Sequence, residues 1–176
     1  MAGHNKWSKI KRQKAGTDAQ KSKVFSKLVK QISAEAKKAG GNITSPSLKT
    51  AIDKAKEVNM PADTIERAIK KGSTDNSASM EQITYEAYGP AGCALIIEAL
   101  TDNRNKAAQE IKHILSKSGF PLAAPGSATW AFTRTNGEWV PSMTVPVTGD
   151  DATTLENLIG ELEENDEVQD VYTNAE

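Results

Sequence analysis

Lys6, Lys9, Lys11, Arg12, Lys14, Lys23, Lys27 and Lys30 are the side chains of this sequence best suited to chemistry, and that chemistry is electrostatic. The first 38 residues hold 11 Lys or Arg and two acids, Asp18 and Glu35, a local net charge of +9 in a chain that nets −1. Cations brought to a polyphosphate release its condensed counterions, which drives salt-dependent binding. Trp7 lies inside the basic run, where an indole can stack on a base while its neighbours contact phosphate. Other chemistry is poorly supported. His4, His113 and Cys93 have no metal-ligand spacing and form no nucleophile–base set. There is no G-x-x-x-x-G-K-[ST] and no G-x-G-x-x-G. No catalytic residue, metal site or cofactor is expected. The turn Gly89-Pro90-Ala91-Gly92 could present backbone N–H groups to a phosphate, but a structural turn explains it better.

One further cluster stands out: Asp102-Asn103-Arg104-Asn105-Lys106. It falls at a strand-to-helix junction, where a polar residue caps the helix and its end is positively polarised. Capping alone accounts for Asp102 or Asn103. Asn103, Arg104 and Lys106 make a basic island in acidic surroundings and are candidates for contact with RNA or a partner.

The elements that must position these residues follow from periodicity. Residues 1–16 lack a period and read as a basic arm. A helix is predicted from Thr17, with Thr17 and Gln20 as a capping box. Val24, Phe25, Leu28, Val29, Ile32 and Ala36 form its apolar face; Lys23, Lys27, Lys30, Lys37 and Lys38 fall opposite. Gly40-Gly41 ends it. Ser45-Pro46 opens a second helix with Leu48, Ala51, Ile52, Ala55 and Val58 inward. Pro61 opens a third with Ile65, Ala68 and Ile69 inward, and Gly72 is expected to stop it. Residues 17–72 thus read as a basic three-helix bundle, and 73–81 as a linker. From 82 to 176 the period changes to that of an acidic α+β domain. Strands are predicted over 84–88, 93–101, 127–134, 139–147 and 168–172, with a hairpin turn at Asn136-Gly137 and an edge strand weakened by Pro141 and Pro146. A helix follows Asn103, and another carries Leu155, Leu158, Ile159 and Leu162 inward with Glu156, Glu161, Glu163 and Glu164 outward. The expected architecture is α+β: a three-helix bundle, then a ferredoxin-like βαβ-βαβ sandwich.

Composition bounds the rest. Hydrophobic content of 38% and charged content of 26% describe a globular protein. No run approaches a membrane span, and no apolar stretch follows the basic start as in a secretory signal. A single cysteine fits a reducing compartment, so a cytoplasmic location is expected. Residues 1–73 hold 17 basic and 6 acidic residues; residues 74–176 hold 5 and 17. That asymmetry suggests two domains with different tasks.

Several segments carry a family resemblance. Ala2-Gly3-His4-Asn5-Lys6-Trp7, followed by Ile10-Lys11, is similar to the start of the YebC/PmpR family, which includes the mitochondrial translational activator of cytochrome c oxidase. Asn59-Met60-Pro61, Tyr85-Glu86-Ala87-Tyr88-Gly89-Pro90, Thr101-Asp102-Asn103-Arg104-Asn105, Gly126-Ser127 and Val168-Gln169-Asp170-Val171-Tyr172-Thr173-Asn174 resemble its other segments in order. Asn5 stands where serine is usual, and Ala87 and Ala91 where glycine is usual. Family members resemble a three-domain protein in which a third domain of roughly 60 residues interrupts the second. Here Phe132 leads through one hairpin to Met143 and Val147, so this is a short form without that insertion, expected to keep a complete six-element sandwich.

The resemblance implies non-enzymatic control of gene expression. The leading expectation is a ribosome-associated, RNA-binding translation factor whose arm and first helix contact ribosomal RNA. The alternative is a transcriptional regulator with the same surface on duplex DNA. A helix that reads the major groove uses Arg, Asn or Gln, and the cations of the first helix are all lysine, which favours backbone contact. An enzyme built on the sandwich, and an adaptor whose acidic half binds a protein, are the remaining readings. No small-molecule substrate and no membrane partner are expected.

Overall fold

The computed structural model describes residues 18–74 and 79–176. The basic arm, the Thr17 cap and residues 75–78 lie outside the described residues. The chain divides into two compact units, parted between Met80 and Glu81.

The first unit is three helices: α1 (Asp18–Lys38), α2 (Pro46–Glu57) and α3 (Ala62–Thr74). Its core is Ile32, Ala36, Leu48, Ala51, Ala55, Met60, Ile65 and Ala68, with Phe25, Leu28 and Val29 partly buried against it. All but Met60 are apolar positions the helical period selected; Val58, expected inward on α2, is instead exposed, because the helix ends at Glu57 and Val58 is its C-cap. Gly40 and Gly41 adopt φ of 58° and 80°, and the Gly41 N–H donates to the Ala36 carbonyl at 2.9 Å, closing α1 as a glycine cap does. Ser45 precedes Pro46 at the head of α2, but its hydroxyl makes no cap bond; its carbonyl accepts from the Lys49 N–H at 2.9 Å. Asn59, at φ 59°, turns the chain so that Met60 is buried and the Pro61 carbonyl receives the Thr64 and Ile65 N–H groups.

Gly72 corrects one expectation. It does not stop α3 but lies buried inside it, and the helix runs on to Thr74. The reason is proximity: a Cβ at Gly72 would stand 2.2 Å from the Ser33 carbonyl oxygen and 2.9 Å from the Ala36 Cβ. Glycine is there to let two helix backbones meet. The Ser33 hydroxyl donates to the Ala68 carbonyl at 3.0 Å across the same contact.

The second unit is α+β, as expected. Strands β1 (Glu81–Tyr88), β2 (Ala94–Thr101), β3 (Leu122–Ala123) and β6 (Val168–Thr173) form one sheet in the order β3-β1-β2-β6, with every neighbour antiparallel. Helices α4 (Arg104–Lys117) and α5 (Gly149–Glu164) pack on one face, where Ile111, Leu115, Leu155, Leu158 and Leu162 meet Leu95, Ile97, Ala99 and Val168. These six elements make the sandwich, with a connectivity more particular than β-α-β twice over. β1 and β2 are joined directly by the turn at Gly89–Gly92, so the split unit is β2–α4–β3 with β1 running between its strands. β2 is buried throughout because both faces of the sheet are covered.

The other face is covered by the segment between β3 and α5. Strands β4 (Phe132–Thr135) and β5 (Glu138–Pro141) form their own two-stranded sheet, turning at Asn136 and Gly137 with φ of 52° and 81°, the geometry that an Asn-Gly hairpin favours. Residues 127–131, predicted as strand, instead contain a short 3-10 turn over Thr129–Ala131, and β3 was not foreseen. Beyond Pro141 the predicted edge strand shrinks to a single parallel bridge, Val145 to Ala175.

Candidate nucleic-acid interface

α1 is the element that can present a row of cations. At about 100° per residue, Lys23, Lys27, Lys30, Lys37 and Lys38 occupy one arc, and from Lys23 to Lys38 they span roughly 22 Å of axis. The opposite arc carries Phe25, Leu28, Val29, Ile32 and Ala36 into the core. The lysines are not fully extended into solvent: Lys23, Lys27, Lys30 and Lys37 are half-buried, and each makes a further polar contact. Lys38 is exposed and pairs with Glu35 at 3.1 Å. Ala34 sits within the arc and is buried. Lys6, Trp7, Lys9, Lys11, Arg12 and Lys14 lie outside the described residues.

The second candidate cluster is held by its own unit. Asn103 is the N-cap of α4: its Oδ1 accepts from the Lys106 N–H at 3.1 Å, while the Thr101 hydroxyl accepts the Asn103 N–H at 2.9 Å. Arg104 pairs with Glu81 at 2.7 Å. The Lys106 ammonium lies 3.0 Å from Glu167 and 3.9 Å from Glu110. The Glu167 hydrogen bond and charge hold its pKa above the ordinary value. Acids of the same unit therefore pair with both cations of the island, the buried Glu167 with Lys106 and the exposed Glu81 with Arg104.

Two buried carboxylates escaped the sequence reading. Glu86 on β1 accepts the backbone N–H groups of Gly126, Ala128 and Thr129 at 2.6, 2.7 and 2.9 Å, fixing the Gly126–Thr129 loop onto the sheet. Glu98 on β2 accepts from Gln82, Thr84 and the Trp139 indole at 3.2, 3.0 and 2.6 Å, with the Arg134 guanidinium 3.5 Å away and 5.0 Å from the Trp139 ring centroid. Both carboxylates are occupied by structural donors. The only advance sign of them was a Glu placed among apolar residues in each strand. Trp130 is exposed, with its indole N–H held by the Tyr88 hydroxyl at 2.9 Å and the Ser127 carbonyl at 2.7 Å.

No constellation for covalent or metal chemistry forms among the described residues. No group of three or more metal-ligating side chains occurs there. His113 is exposed on α4, and Cys93 is buried with its thiol pKa pushed up by that burial. Two N–H groups of the Gly89–Gly92 turn are used internally: Gly89 donates to the Cys93 carbonyl at 2.8 Å and Gly92 to the Gly89 carbonyl at 3.1 Å. No described helix is long and apolar enough to cross a membrane.

Taken together, this is an α+β protein with a basic helical unit ahead of an acidic sandwich. The same fold occurs in the crystal structure of a conserved hypothetical protein, Aq1575, from Aquifex aeolicus. The two share a TM-score of 0.78 and 30% identity over 90% of this chain and 91% of that one. Residues 5–75 match the TACO1/YebC protein N-terminal domain; residues 80–137 and 134–175 match the TACO1/YebC second and third domain. The chain belongs to the TACO1/YebC family. A relative from Fervidobacterium nodosum, named "Probable transcriptional regulatory protein", is 39% identical over 235 residues, covering 99% of this chain and 93% of the relative. One from Chlorobaculum parvum with the same name is 45% identical over 169 residues, covering 95% of this chain and 67% of the relative. The Fervidobacterium alignment is about 60 positions longer than the 176 residues of this chain. The two matched stretches of the second-and-third-domain profile overlap at 134–137, the end of β4 and the turn of the β4–β5 hairpin.

Proposed function

We propose that this protein is a nucleic-acid-binding regulator of gene expression that holds the phosphate backbone of ribosomal RNA through α1 and the basic arm, as a translation factor. The carrying observation is the division of α1 into one apolar and one lysine face, in a helix whose only acids are Asp18 and Glu35. Lysine is a compact point charge without the planar fork that reads a base edge, so a lysine row fits backbone contact. The acidic unit repels phosphate, which leaves the basic unit as the gripping end. The relatives' printed names favour a second reading, in which the same face lies on duplex DNA and the protein regulates transcription.

Crosslinking in cells, followed by sequencing of the attached nucleic acid, separates the two. Ribosomal RNA reads that vanish in a Lys23→Glu/Lys27→Glu/Lys30→Glu variant support the first reading. Discrete promoter DNA lost in the same variant supports the second. Nucleic-acid binding by the purified chain that keeps its salt slope in this variant refutes both.

A further inference from the structure

The contact at Gly72 fixes how α3 lies against α1. Ser33 and Ala36 of α1 meet Ala68 and Gly72 of α3, and Gly41, beyond the end of α1, lies against Ser73. Contacts therefore advance together along the two helices, which run in the same direction. At about 100° per residue, Lys30 and Lys37 lie roughly 70–90° round α1 from the contact line, on its Ser33 flank. Lys71 lies roughly 80° round α3 from its own contact line, on its Ala68 flank, while Lys70 lies on the back of α3, roughly 180° away. The Ser33–Ala68 hydrogen bond shows that these two flanks are one side of the helix pair. Small residues at a crossing bring helix axes to the near end of the usual separation of about 8–10 Å. Lys71 is thereby set beside the α1 lysine row. Lys70 and Lys71 are both exposed, and neither has an acid partner among the described residues.

We propose that Lys71 is a further phosphate-contacting residue and that nucleic acid lies across both α1 and α3, with Gly72 admitting the close approach that joins their cations into one surface. This rests on the reading of α1 as the gripping face. It goes beyond that reading by assigning opposite roles to two adjacent lysines: Lys71 meets the backbone and Lys70 does not.

The test is fluorescence anisotropy of the full chain on a labelled ribosomal-RNA hairpin and on a labelled DNA duplex, titrated across salt concentration. On whichever of the two the protein binds, Lys71→Ala should lower the slope of log K against log salt by about 0.7–0.9, one contact's worth. Between about 50 and 200 mM salt the variant would then lose roughly threefold less affinity than the parent. Lys70→Ala should leave the slope unchanged, and Lys71→Arg should keep it. Far-UV circular dichroism identical to the parent's shows that the loss is one of contact. Equal slopes for Lys70→Ala and Lys71→Ala overturn the assignment of Lys71, even where the α1 triple variant abolishes binding. A triple variant that binds with the parent's slope overturns the α1 reading itself.

Discussion

Replacing Gly72 with alanine sets two known effects against each other, and the structure decides between them. In an open helix interior, alanine stabilises over glycine by about 0.8–1.0 kcal/mol, because glycine loses more backbone freedom on folding. At this position the added methyl would stand 2.2 Å from the Ser33 carbonyl oxygen. A carbon and a carbonyl oxygen come no closer than roughly 3.3 Å without strain, so α1 and α3 must part by about 1 Å. Overpacking of that kind costs about 1–3 kcal/mol. The Ser33–Ala68 hydrogen bond lies in the path of the displacement, at a further cost of about 0.5–1.5 kcal/mol. The net expectation is a destabilisation of about 2 kcal/mol, which in a unit this small lowers the melting temperature by roughly 10 °C. Far-UV circular dichroism during thermal and urea unfolding measures it, with the helical basic unit and the sandwich fitted as separate transitions. A Gly72→Ala protein as stable as the parent, or more so, would show that the helices are not in backbone contact. It would also remove the ground for placing Lys71 beside Lys30 and Lys37.

Three further expectations concern the acidic unit. Glu86→Gln puts an amide where three backbone N–H groups converge, replacing a charged acceptor with a neutral one that also carries donors; the sandwich should lose about 2–3 kcal/mol in urea unfolding. Trp139→Phe removes the 2.6 Å indole bond to the buried Glu98 carboxylate, and a loss of about 1–3 kcal/mol in the same unit is expected. The Cys93 thiol is held above its ordinary value of 9.0, chiefly by burial, with the Thr173 hydrogen bond opposing. The Tyr172 phenol is likewise held above 10.0, chiefly by burial. In the unfolded chain both ionise near their ordinary values while the folded chain keeps both protons, so stability is fully present below about pH 9 and falls above it. Urea midpoints measured from neutral pH upward should show that decline, and Cys93→Ala should shift its onset toward the tyrosine range.

Much of this fold was legible wherever a periodic apolar pattern coincided with its own punctuation. α1 ends at Gly40-Gly41, α2 begins at Ser45-Pro46 and the β4–β5 hairpin turns at Asn136-Gly137, because each site demands a backbone geometry that few residues supply. Failures occurred where one residue type serves two physical purposes. Gly72 follows two lysines near the end of an amphipathic run, the usual position of a helix stop. Its actual role, close approach to Ser33, depends on residues some forty positions away, which no local pattern records. The stretch 127–131 looks like strand because it is short, apolar and aromatic. Its conformation is set instead by Glu86, more than forty positions earlier in sequence, whose carboxylate gathers the N–H groups that a strand would have given to a neighbour.

The same limit governs the candidate interface. Sequence order weights the Asn103-Arg104-Lys106 island and the α1 lysines alike, since both are cations in suggestive places. They differ in the charge of the unit that carries each one. Arg104 and Lys106 sit within salt-bridge distance of Glu81, Glu110 and Glu167, acids of an acidic unit, so a phosphate arriving there must displace a carboxylate and meet repulsion from its neighbours. Lys23, Lys27, Lys30 and Lys37 also make contacts of their own, but their helix carries six lysines against two acids, and it is that net charge which favours a phosphate. Substitution at the two places should therefore differ in kind. Loss of Arg104 or Lys106 should appear mainly as lost stability of the sandwich. Loss of Lys23, Lys27 or Lys30 should appear mainly as a smaller salt slope in binding, read by the same anisotropy titration. An Arg104→Ala protein of unchanged stability whose salt slope falls by a full contact would put nucleic acid on the acidic unit and overturn the division of labour between the halves.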